Sequence, residues 1–294
     1  RERLSGRTIC CILRQPSDSH SVSRMDTRPF GSTGLTVTPI GLGLAALGRP
    51  GYINLGHGDD LDGRREVNAL HRHTHDVLDA AWDLGIRYFD AARSYGRAEA
   101  FLGDWLRSRG RDPDEVAVGT KWGYTYTADW QVDADVHEVK DHSLGVLQRQ
   151  WPESKERLGD HIDLYQIHSA TLKTGVLEDS DVVKELMRLR HEEGVAIGLS
   201  LSGPRQAETL EKALGVRVNG ERLFDAVQAT WNLLEPSAGA MLQAASEAGL
   251  GVIVKEALAN GRLTPRNDRP AFADRYGLLQ AEADRLGTTV DAFC

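Results

Sequence analysis

Cysteine is scarce in this 294-residue chain: Cys10, Cys11 and Cys294 are its only three, all near the ends. No disulfide framework and no Cys-x-x-Cys metal site can therefore cross the body, and a reducing, cytoplasmic setting is expected. Long apolar runs are missing too, since nothing approaches the roughly 20 residues of a membrane span. Residues 1–24 also lack the unbroken apolar stretch of a secretory signal. They are rich in Arg and Ser and poor in acids, and are read as a disordered N-terminal extension, with an organellar targeting signal as the competing reading. Excess positive charge is absent, because 43 acidic against 35 basic residues leave a net charge of -8. With both signs interspersed, there is no footprint for a nucleic-acid backbone and no polybasic membrane segment.

What the chain does have is alternation. From about residue 36, short β-branched runs alternate with longer segments of helical period, the pattern of repeated βα units around a parallel sheet. Strands are expected over 38–43, 86–90, 116–121, 162–168, 195–200, 224–229 and 251–255. Apolar faces precede them, for example Val77, Ala80, Ala81 and Leu84 before the second and Val182, Val183, Leu186 and Leu189 before the fifth. Gly85, Gly194 and Gly249 stand where those helices must end and turn. Residues 28–37 are expected to form a small hairpin that plugs the barrel bottom. Two long connections, 48–66 and 122–135, follow strand ends and so belong to the face on which barrels of this type carry their sites. The strand count stops at seven, with a helix over 271–287 after the last. An unpaired edge at each end of an open sheet is an aggregation liability, so the barrel domain, residues 25–294, is expected to be C-terminally incomplete, lacking its eighth strand.

Several strands end in a titratable or polar residue: Asp90, Lys121, His168, Ser200 and, near the end of the sixth, Gln228. Catalytic groups in a parallel barrel come from different strands and meet at one mouth. The segments around them are specific. Phe89-Asp90-Ala91-Ala92-Arg93-Ser94-Tyr95-Gly96, Gly119-Thr120-Lys121, Asp163-Leu164-Tyr165-Gln166-Ile167-His168 and Ile197-Gly198-Leu199-Ser200 resemble, in order and context, the aldo/keto reductase family. The similarity runs from about residue 28 to the end.

That resemblance implies an α/β fold, a (β/α)8 TIM barrel, and an oxidoreductase that reduces aldehydes or ketones, or oxidises the corresponding alcohols or sugars, with NADP(H). It implies an active site of Asp90, Tyr95, Lys121 and His168, with Tyr95 as general acid/base. A carbonyl accepting hydride becomes an alkoxide and needs a proton donor in reach. Lys121 would lower the pKa of the Tyr95 phenol, Asp90 would keep Lys121 charged, and His168 would orient the carbonyl oxygen. For the cofactor, the resemblance implies Ser200 and Gln228 at the nicotinamide carboxamide, Trp231 stacked on its ring, and Leu258, Gly261 and Leu263 in the pyrophosphate loop, with Lys255 or Arg262 available for the charge. Leu201 stands where the family often has Asn after the serine, leaving Ser202 as a replacement. No residues here read the adenosine 2′-phosphate, so NAD(H) stays open beside NADP(H).

Other readings compete. Gly41-Leu42-Gly43 suggests a dinucleotide fingerprint, but the next glycine is Gly48 and the spacing fails. His71, His73 and His75 suggest zinc, yet alternate positions of a helix diverge around its axis, so no metal site is assigned. A nicotinamide-binding regulatory or scaffold barrel without turnover is the alternative from another functional class. The expected partner is a small-molecule carbonyl or alcohol, with neither nucleic acid nor membrane; the oligomeric state is left open.

Overall fold

The structure, a computed structural model, describes residues 25–294; the expected N-terminal extension lies outside them. Seven parallel strands form one curled sheet in which neighbours follow chain order: β1 (Leu42–Gly43), β2 (Tyr88–Asp90), β3 (Ala117–Trp122), β4 (Ile162–Ala170), β5 (Ala196–Leu201), β6 (Ala226–Thr230) and β7 (Gly251–Lys255). A helix follows each: α1 (Val67–Asp83), α2 (Ala98–Ser108), α3 (Leu144–Leu158), α4 (Ser180–Glu193), α5 (Gln206–Leu214), α6 (Gly239–Glu247) and α7 (Ala273–Leu286). Among the described residues β1 and β7 are not paired with each other. The architecture is that of a (β/α)8 barrel short of one strand.

The sequence pattern placed these elements within a few residues, and for physical reasons. Gly85, Gly194 and Gly249 all have positive φ, 91°, 72° and 84°, where a side chain would be strained at the end of a helix. On α4 the expected face of Val182, Val183, Leu186 and Leu189 is buried. On α1 the expectation needs correction. The buried face is Leu70, Thr74, Leu78 and Ala81, while Leu84 is 59% exposed. Thr74 breaks the apolar pattern yet is buried without loss, because its hydroxyl donates to the Leu47 and Leu70 carbonyls at 2.9 and 2.8 Å.

The expected hairpin pairs Arg28–Pro29 with Thr36–Val37. Phe30 at its turn packs with Tyr88, Ala117, Leu164 and Ala226, which come from the starts of four strands. Ser32 is tied to the Gly249 carbonyl at 2.8 Å through both its N–H and its hydroxyl. The hairpin thus closes the bottom of the barrel. The connection after β3 contains a second hairpin, Tyr124–Tyr126 against Glu138–Lys140, standing over the opposite end.

The alternation of strand side chains decides what enters the barrel. Phe89, Val118, Tyr165, Ile167, Ile197 and Leu199 face outward into the main core beneath the helices. Tyr88, Asp90, Gly119, Lys121, Gln166 and His168 face inward. Gly119 is required there, since a Cβ would lie 2.5 Å from the Tyr88 hydroxyl. A second buried network holds the strand that carries Lys121. Glu99 of α2, 2% exposed, accepts from Thr120 and Ser154 at 2.7 Å each and from Arg93 at 2.6 Å. Glu153 also pairs with Arg93.

Removing this carboxylate leaves two buried hydroxyls and a partly buried guanidinium short of a partner. Glu99→Ala is expected to lower the unfolding free energy by about 3–5 kcal/mol, measured by urea denaturation; a loss under ~1 kcal/mol would show that the network contributes little.

Candidate active site

Three strands and one loop bring the four candidate catalytic residues together at the C-terminal mouth. Asp90 ends β2, Lys121 lies near the end of β3, His168 lies near the end of β4, and Tyr95 sits in the turn between β2 and α2. Lys121 is fully buried and bonded to the Asp90 carboxylate, and it donates to the Ala91 carbonyl at 2.9 Å. The other Asp90 oxygen accepts from the Tyr88 hydroxyl and from the Gln166 amide, each at 3.2 Å. Tyr88 and Gln166 were not singled out in the sequence. Period-two spacing was the available signal, because Tyr88 precedes Asp90 and Gln166 precedes His168 by two residues on the same strand face.

Tyr95 lies over this pair. Its ring centroid is 5.0 Å from the Lys121 ammonium, and its ring meets His168 edge-on at 5.4 Å. His168 Nδ1 is 3.3 Å from the Ser94 hydroxyl. Its backbone carbonyl lies 2.8 Å from Nε2 of His142, so that nitrogen carries the proton and donates. A bulge follows His168, with Ser169 at φ 54° held by the Ser200 hydroxyl, which accepts from its N–H at 2.8 Å.

Burial dominates the electrostatics of Tyr95. Burial raises its pKa strongly, the Asp90 carboxylate raises it further, and Arg49 is the cation that opposes them. Burial also raises Tyr88 well above the phenol range and pushes Tyr52 up to about 12. His168 is driven well below the ordinary imidazole value, first by burial and then by repulsion from Lys121. Burial likewise lowers His142 to about 4. The mouth therefore holds neutral imidazoles and a protonated phenol.

A cavity of about 890 Å³ runs along the open seam between β1 and β7, from Phe30 and Val37 of the lower hairpin past Leu42 and Val252 to the mouth, where Asp90, Tyr95 and His168 line one side and Ser200, Gln228, Leu258 and Gly261 the other. Gln228 is 4% exposed, and its carboxamide makes no hydrogen bond among the described residues. An amide facing a cavity is free to bond water or a polar ligand there. The loop after β7 holds Glu256, Ala259 and Asn260 at φ 56°, 49° and 54°, a strained backbone of the kind kept at ligand sites. Two of the expected cofactor residues are not at the cavity. Leu263 is fully buried, and Trp231 is 45% exposed with its indole nitrogen against Gly239. Trp231 lies just beyond the end of β6, in the loop that Asn232 and Glu235 close. Leu201 is buried, and Ser202 reaches the Ser169 carbonyl at 3.5 Å. Among the described residues no group of three or more His, Cys, Asp and Glu side chains is placed to hold a metal ion, and no helix is long and apolar enough to cross a membrane.

Residues 39–280 match the model of the aldo/keto reductase family. The chain belongs to the aldo/keto reductase family. Its relatives include a pyridoxal 4-dehydrogenase of Microbacterium luteolum, 35% identical over 164 residues, which are 49% of this chain and 43% of that protein. They include a D-threo-aldose 1-dehydrogenase of a Pseudomonas species, 32% identical over 237 residues, 74% of this chain and 69% of that protein. Among solved structures, an aldo-keto reductase from Pseudomonas aeruginosa superposes with a TM-score of 0.60 at 30% identity, covering 78% of this chain and 77% of that one. The match to the first relative thus spans under half of that protein's length.

In this member of the aldo/keto reductase family, the buried imidazole is expected to stay neutral. Titration of the His168 ring nitrogens by NMR should show no protonation from about pH 8 down to about pH 5.5. An apparent pKa near the free imidazole value would contradict the burial seen here.

Proposed function

We propose that this aldo/keto reductase reduces aldehydes or ketones, or oxidises the corresponding alcohols or sugars, with NADP(H) and with Tyr95 as the general acid/base. The observation that carries the reading is one phenol at the cavity mouth, set between a buried Lys121–Asp90 pair and a neutral imidazole. The names of the two relatives, each a dehydrogenase of a carbonyl-bearing compound, are consistent with it. A nicotinamide dinucleotide fits the open Gln228 carboxamide, Ser200 and the Leu258–Gly261 loop, and it would supply or accept the hydride.

The chain's own residues handle the oxygen and the proton. A substrate carbonyl oxygen accepts a hydrogen bond from Tyr95 Oη and from the N–H of neutral His168, which orients it. As negative charge grows on that oxygen, the Tyr95 proton moves to it. The phenolate left behind faces Lys121 at 5.0 Å and Arg49, whose guanidinium carbon lies 5.7 Å from the ring. Asp90 keeps Lys121 in position, while Tyr88 and Gln166 keep Asp90 in position. Because burial holds the proton on Tyr95, the protein rests in the form that reduction consumes. The scarcity of cysteine supports a reducing, cytoplasmic setting.

The test is a panel of carbonyl substrates followed by NADPH and NADH absorbance, with wild type and Tyr95→Phe. The variant should bind the dinucleotide as before and lose roughly 10²- to 10⁴-fold in turnover. Unchanged turnover would refute the proton-donor role. A wild type that binds the dinucleotide without oxidising it in a single turnover would favour the regulatory barrel instead.

A further inference from the structure

Arg49 and Glu138 belong to none of the motifs that define the site, yet they meet directly beside Tyr95. Arg49 follows β1 at the start of its long connection, and Glu138 lies on the hairpin after β3. Their side chains are joined at 3.3 Å, 12% and 29% exposed. Arg49 stacks over Tyr52 with its guanidinium carbon 4.9 Å from the ring centroid, which fixes the plane of the fork. Only one of its N–H groups is engaged with Glu138, and its Nε is buried with no partner. Both residues line the cavity alongside Tyr95, His168 and Ser169.

The pair offers a set of donors and a carboxylate acceptor side by side. A substrate hydroxyl can use both at once, accepting from Arg49 and donating to Glu138. A phosphate or carboxylate can use only Arg49, and would be brought against the Glu138 charge. Of the other cations at or beside the cavity, Arg266 is held by Asp60 and Lys255 by Glu256, Arg28 sits on the hairpin below the barrel, and Lys140, on the hairpin with Glu138, is bonded to the Ser169 carbonyl at 2.6 Å. Building a like charge against an unwanted ligand is an effective route to discrimination.

We infer that Arg49 and Glu138 form a specificity pair that reads a hydroxyl group near the reacting carbonyl, on its second or third carbon, selecting neutral hydroxylated carbonyl compounds over plain ones and over those phosphorylated there. This rests on the carbonyl-reductase reading above. The two residues act on substrate choice, and Arg49 in addition weakens the upward shift of the Tyr95 pKa.

Three aldehydes of equal chain length separate the possibilities: propanal, glyceraldehyde and glyceraldehyde 3-phosphate, assayed as kcat and KM with wild type, Arg49→Met, Arg49→Lys and Glu138→Gln. Wild type should prefer glyceraldehyde to both others. In Arg49→Met the glyceraldehyde-to-propanal ratio of kcat/KM should fall by about tenfold or more, chiefly through KM. Arg49→Lys, with charge but no fork, should fall between. In Glu138→Gln the ratio of glyceraldehyde 3-phosphate to glyceraldehyde should rise by about tenfold. Ratios, rather than rates, remove any common effect on Tyr95. If all three variants fold, judged by their circular dichroism and melting, and keep the wild-type ratios, the inference is overturned while the reductase reading stands. If wild type turns over none of the three or any other carbonyl, the reductase reading fails and this inference falls with it. Should Arg49→Met not fold, Arg49→Lys and Glu138→Gln decide.

Discussion

The ion pair between Lys121 and Asp90 is the constraint around which the inside of the barrel is arranged. Taking an ammonium and a carboxylate out of water costs several kcal/mol for each ion, so such a pair survives only where further polar partners complete it. Here the Ala91 carbonyl serves the lysine, and the Tyr88 hydroxyl and Gln166 amide serve the aspartate. Tyr88 and Ala91 flank Asp90 on its own segment, and Gln166 comes from β4 on the far side of β3. Tyr88 fits only because Gly119 leaves its position empty of side chain. The hairpin under the barrel packs against Tyr88 from below, with Phe30 6.2 Å from its ring. The β3 segment that carries Lys121 is fastened from outside by Glu99 through Thr120.

Completing that pair changes the chemistry above it. At Tyr95 desolvation and the Asp90 carboxylate prevail, and the phenol keeps its proton. The opposing cation is Arg49, which arrives from a different loop and is itself held by Tyr52 and Glu138. One guanidinium thereby links the acidity of the phenol to the polar edge of the substrate cavity. His168, surrounded by cations and buried, is left neutral and can act only as a hydrogen-bonding group.

Much of this was legible in the residues themselves. The seven strands stood out because β-branched runs bounded by glycine and helical periods have few other readings, and α4 showed its buried face in full. Asp90, Tyr95, Lys121 and His168 could be named because their motifs occur in order. Where the reading slipped, a local rule had been passed over. Thr74 hides in an apolar face by bonding backward to its own helix. Trp231, expected at the cofactor, stands beyond the end of β6 and is 45% exposed beside Gly239. Tyr88 and Gln166 share a strand face with residues already chosen, and could have been found by stepping back two positions.

The sequence by itself determined the βα repeat, the family and the identity of four polar residues at strand ends, because periodicity and short motifs are local properties of a chain. Only the tertiary structure decided how those residues act on one another. The pairing of Lys121 with Asp90, the dominance of burial at Tyr95, the open carboxamide of Gln228 and the meeting of Arg49 with Glu138 all join segments far apart in sequence. Charge and desolvation depend on distances through space, and no spacing along the chain contains them.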